Sequence, residues 1–67
     1  MKLLFYKPDL SWSICSDEIT EDEDQIYYVV AKALKNNDQA FMQITVNNEV
    51  IFIQPEIYKQ CLIKIVK

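Results

Sequence analysis

The pair Asn47-Asn48 stands between two alternating runs, AFMQITV before it and EVIFIQ after it. No other feature of the chain constrains the fold as tightly. A two-residue hairpin loop needs positive φ at its central positions, a region that asparagine tolerates and most other residues avoid. Asn-Gly would serve better, but the chain contains no glycine. With the turn placed there, Val46 faces Glu49, Ile44 faces Ile51 and Met42 faces Ile53. Side chains alternate across a strand. Met42, Ile44, Ile51 and Ile53 therefore make a largely apolar face that should meet the helix. Phe41, Gln43, Thr45, Val50, Phe52 and Gln54 make the opposite face. A slip of one residue would exchange the two faces, so turn and pattern support a single register. Residues 40 to 54 are thus predicted to form a hairpin, which Pro55 ends.

The other elements follow from weaker signals. LSWSIC alternates strictly and follows KLLFYK, with the turn-forming pair Pro8-Asp9 between them. A turn centred on that pair sets Phe5 opposite Trp12 and Leu3 opposite Ile14, and predicts a core position for Trp12. Over residues 21 to 36, Ile26, Val29, Val30, Ala33 and Leu34 recur at helical spacing. Thr20 and Glu23 have the spacing of a capping box, with Thr20 as N-cap. Lys32 and Lys35 fit the C-terminal end of a helix, and Asn36-Asn37-Asp38 is a stop signal. PEIYKQ allows one helical turn at most before CLIKIVK, a fifth strand expected to return antiparallel beside the fourth. The expected architecture is a small α+β domain over residues 1 to 67, in the order ββαβββ. Its sheet should be mostly antiparallel, or a curved half-barrel, with the helix packed on one face.

Composition narrows the function classes. Sixty-seven residues make a small core, since a chain of this size buries only roughly 60% of the surface it exposes when unfolded. The chain has no His, no Gly and no Arg. It therefore lacks the commonest general base and metal ligand, any glycine-built phosphate loop, and planar bidentate recognition of phosphate or guanine. A non-catalytic protein without a cofactor or metal is expected. The net charge of −3 argues against nucleic acid as a partner, because backbone binding needs a basic stripe. Cys15 and Cys61 have no CxxC spacing and no leader sequence beside them. Together with the lack of a long apolar segment, they predict reduced thiols, a cytoplasmic location and no membrane association.

Two groups of residues are candidates for contact with a partner. Six of the eight residues from 17 to 24 are acidic. Glu21, Asp22, Glu23 and Asp24 suit the first turn of a helix, where carboxylates meet the positive end of its dipole. Asp17 and Glu18 precede that turn and gain little from it, which marks them as contact residues. Tyr28, on the helix side opposite Ile26, is a further candidate. The other group is Phe41, Val50 and Phe52, on the hairpin face turned away from the helix. They either meet a partner or, if the sheet curls, fill a second core, with Tyr58 and Ile57 covering one edge.

The expected function is binding and modulating another protein. Short acidic chains rich in Lys, Asn and Ile, and without glycine, look like products of AT-rich genomes. Accessory genes of bacteria, phages and mobile elements often encode such chains, among them inhibitors, immunity proteins and anti-defence factors. One alternative is a homo-oligomer, a homodimer for example, assembled through the outer sheet face. Another is a weak binder of single-stranded nucleic acid, with bases stacked on Phe41, Phe52 and Tyr58 beside Lys59, Lys64 and Lys67.

Overall fold

The computed structural model describes residues 1–35 and 41–67. The chain is a small α+β domain. Its order is β1 (Lys2–Tyr6), β2 (Ser13–Cys15), α1 (Glu23–Lys35), β3 (Met42–Val46), β4 (Glu49–Ile53), α2 (Pro55–Tyr58) and β5 (Leu62–Val66). The expected stop at Asn36-Asn37-Asp38 and the first residue of the second hairpin lie outside the described residues. No helix among the described residues is long and apolar enough to cross a membrane.

The strands form two antiparallel sheets, not one. β3 and β4 make a two-stranded sheet, and β1 stands between β2 and β5 in a three-stranded one. The fifth strand therefore returns beside β1, with Phe5 opposite Ile63 and Leu3 opposite Ile65, and not beside β4. The two sheets are joined where the chain leaves β2. There Ser16 N–H donates to the Leu3 carbonyl at 2.8 Å, and the next N–H, of Asp17, donates to the Thr45 carbonyl at 2.7 Å. Successive amides of an extended chain point to opposite sides, so this short segment bonds one sheet with each. Ser16 is buried. Its hydroxyl accepts from Leu3 N–H at 2.8 Å and donates to the Asp17 carbonyl at 2.9 Å. Both hydrogen-bonding functions of a buried hydroxyl are thus engaged, as low polarity demands.

The second hairpin has the register set by its asparagine turn, with Val46 opposite Glu49, Ile44 opposite Ile51 and Met42 opposite Ile53. Asn47 and Asn48 take φ of 52° and 65°, as the turn requires. The first hairpin is longer in the loop than its sequence suggests. Phe5 faces Ile14, not Trp12, and Lys7 N–H donates to the Trp12 carbonyl at 3.0 Å. The turn is closed by Leu10 N–H on the Lys7 carbonyl at 2.8 Å, and Asp9 Oδ1 accepts from both Ser11 N–H and Ser11 Oγ. Leu10, expected on the apolar strand face, sits in the loop at φ 61° and is exposed. Few leucines adopt that conformation. The shift is by two residues, so the inner face of the strand is unchanged, but Trp12 moves out of the core to the rim, 39% exposed.

The helix also starts later than the Thr20–Glu23 spacing implies. Asp22 is its cap: its Oδ1 accepts from Gln25 N–H at 2.9 Å, and its carbonyl accepts from Ile26 N–H at 3.1 Å. Glu23 instead meets Lys67 Nζ at 3.0 Å, tying the helix start to the residue after β5. The buried stripe is narrower than expected. Ile26 is buried, whereas Val30 and Ala33 are only half-buried. Val29 and Leu34 are exposed.

The core is Leu3, Phe5, Ile26, Met42, Ile44, Ile53 and Tyr58. Tyr58 comes from α2, the single turn after Pro55. Pro55 at its first position has the φ that a helix needs and no N–H to leave unpaired. Residues three apart share a helix face, and Pro55 and Tyr58 are both buried. Tyr58 is therefore neither an edge cover nor a stacking platform for bases. Its hydroxyl donates to the Ala33 carbonyl at 3.5 Å, linking α2 to α1. Cys15 and Cys61 are free thiols.

Candidate functional site

The outer face of the β3–β4 hairpin is open. Phe41 and Phe52 are each 57% exposed and Val50 is 53% exposed. They fill no second core, contrary to the curled-sheet alternative. Cross-strand pairing puts Gln43 beside Phe52 and Thr45 beside Val50, which spaces the apolar side chains with polar ones. Phe41 and Phe52 meet edge to face, with ring centroids 5.0 Å apart and planes at 78°. This geometry sets the positive edge of one ring on the negative face of the other. It holds two large side chains in place on a surface where each would otherwise be free to turn.

Phe52 also belongs to a second feature. Beside β4 runs an open groove of about 560 Å³, whose lining includes Trp12, Ile14, Ile51, Phe52, Ile53 and Ile57. Its walls come from β4, from α2, from β2 and from the loop of the first hairpin. Trp12 and Ile57, which the sequence suggested for the core and for an edge cover, are exposed here beside Phe52. The result is a continuous apolar surface that begins at Phe41, passes through Phe52 and turns into the groove. Loop length was the missing signal. Moving the partner of Phe5 from Trp12 to Ile14 is what frees the indole.

The other candidates lie elsewhere. Tyr28 is 64% exposed on α1, with Lys32 Nζ 5.9 Å from its ring centroid. The helix packs on the inner side of the hairpin through Ile26, so Tyr28 shares no surface with Phe52. Asp17 and Glu18, expected to owe little to folding, have folding roles. Asp17 Oδ1 accepts from Asn47 N–H and Oδ2 from Asn48 N–H, both at 2.9 Å. It thus caps the turn whose two amides point away from the hairpin ladder. Glu18 Oε2 meets the Met1 ammonium at 2.6 Å.

The amides of Asn48 and Asn47 hold the Asp17 carboxyl below the ordinary carboxylate range. Hydrogen bonds from the Ser11 hydroxyl and amide do the same for Asp9, and the Met1 ammonium does so for Glu18. A carboxylate depressed in the folded state stabilises the fold fully above its unfolded pKa and ceases to do so as pH falls through the lower, folded value. Acidification should therefore loosen the β3–β4 turn only below pH 3.8, the ordinary Asp value. An NMR titration should show Asp17 with a midpoint below that value, and the Asn47 and Asn48 amide shifts should move with it. A midpoint at or above 3.8 would rule out the cap.

No protein-family model matches the chain, and neither a curated protein nor a solved structure is significantly similar to it.

Proposed function

We propose that the protein is a non-catalytic binding module that acts on another protein through the apolar surface of Phe41, Val50 and Phe52, with Trp12 and Ile57 at its border. The observation behind this reading is the grouping. Single exposed hydrophobic residues are ordinary, whereas a contiguous group of aromatic and branched side chains, spaced by Gln43 and Thr45, has the composition of an interface centre. Inhibitor, immunity and anti-defence roles all work by such contacts, and the acidity of the chain suits a basic target.

Phe52→Ser tests the reading. Phe52 is exposed, so the isolated variant should keep its stability to within about 0.5 kcal/mol in denaturant unfolding. Its hold on a partner retained from native extract should weaken roughly 30-fold or more, as expected for an aromatic anchor worth about 2 kcal/mol. A variant that melts far earlier while retaining the same partner would sink the proposal.

A further inference from the structure

We infer that the free edge of β4 pairs with the β4 edge of a second copy of the chain, giving a dimer with a continuous sheet in the order β3, β4, β4, β3. The hairpin turn decides which backbone groups are left at that edge. In the β3–β4 ladder, Val46 and Glu49 flank a two-residue turn and so form a bonded pair. Bonded and non-bonded pairs alternate, so Met42, Ile44, Ile51 and Ile53 also face the ladder. The amides and carbonyls of Gln43, Thr45, Val50 and Phe52 point outward. Thr45 supports this assignment, since its carbonyl accepts from Asp17, outside the hairpin. No such partner meets the backbone of Val50 or Phe52 among the described residues.

Open edges invite pairing, and proteins usually blunt them with charge, brevity or cover. β2 is only three residues long. β5 carries an exposed Lys64 at its centre. β3 is occupied near its end by Asp17. β4 is the least protected: its one charge, Glu49, stands at its first residue, Val50 to Ile53 bear none, and an apolar groove lies along it.

The occupant follows from register and charge. In an antiparallel pair about a two-fold axis at Ile51, Val50 meets Phe52 of the second copy and the reverse, each pair exchanging both its N–H···O bonds. A branched side chain beside an aromatic one is a favourable cross-strand pair. The same register sets Glu49 opposite Ile53 of the second copy, on the groove side of the sheet. Lys7 lines the same groove as Ile53. Neither Glu49 nor Lys7 has a salt-bridge partner within 4.0 Å among the described residues. The two-fold axis therefore brings an acid to the groove that holds Lys7 at both ends of the seam, and merges the two exposed apolar faces into one.

The test is the mass of the full chain in solution, by sedimentation equilibrium from low micromolar to near-millimolar concentration. The wild type should rise from 7.9 kDa towards twice that mass. Val50→Pro removes an outward N–H without touching the β3–β4 ladder, and proline is tolerated on such an edge. It should weaken association at least tenfold with an unchanged far-ultraviolet spectrum. Lys7→Glu and Glu49→Lys should each weaken it, and the double reversal should restore it; this arm does not depend on the folding of the proline variant. A wild type that stays monomeric throughout, a dimer indifferent to Val50→Pro, or reversals without rescue would each overturn the dimer. The inference does not rest on the face-binding proposal. A monomer whose Phe52→Ser variant loses its partner would remove the dimer alone.

Discussion

Phe5→Ala should leave the protein largely unfolded at room temperature. Phe5 has no exposed surface. It lies at the middle of the three-stranded sheet, with Ile14 on one side and Ile63 on the other. Truncating such a side chain removes its transfer free energy and leaves a cavity, together costing about 3–5 kcal/mol. Small domains have little more than that to lose. Two measurements check it: urea unfolding of Phe5→Ala, and of Phe5→Leu as a milder control that keeps much of the volume. The leucine variant should stay folded with a lowered midpoint. An alanine variant less than about 1 kcal/mol below wild type would mean that the core is not centred on β1.

Ile26→Ala should be nearly as damaging, at about 2–5 kcal/mol. Ile26 is the one buried residue of α1. Val30 and Ala33 are only partly covered, so no neighbour on the helix can compensate for the lost contact. The same change at Val29, which is 59% exposed, should cost about 0.5 kcal/mol or less. The contrast between the two variants tests the orientation of the helix directly. Equal losses would mean that α1 is turned about its axis, with Val29 as well as Ile26 against the sheets.

These two positions also show how far the sequence could be read. The β3–β4 register was legible to the residue, because a two-residue turn leaves a single pairing and the alternation agrees with it. Pro8-Asp9 offered the same kind of signal and misled. Proline sits at the second position of the turn from Lys7 to Leu10, but the loop continues to Ser11 through a leucine with positive φ. No propensity rule anticipates that leucine. The helix was legible as an element, but its cap was not, since Thr20 and Asp22 are both acceptable N-caps. The exposed face of Phe41, Val50 and Phe52 followed from parity alone. The groove beside it did not, because it depends on where Trp12 and Ile57 end up. Asp17 was misread for a related reason. Its ligands are amides some thirty positions away, and local sequence carries no trace of them. Tyr58 left a clue in its spacing from Pro55, since i and i+3 share the buried side of one helical turn.

The pairing of β1 with β5 joins Lys2 to Val66, which closes nearly the full length of the chain into one loop. Contacts between such distant positions form late, because the chain must give up its freedom before they contribute. The β3–β4 hairpin needs no such wait, since its strands are neighbours and its turn is local. Until residues 62–66 emerge, β1 has β2 alone beside it, and the flank of Phe5 that Ile63 covers stays open. The three-stranded sheet therefore matures only once both ends of that loop are present, rather than piece by piece.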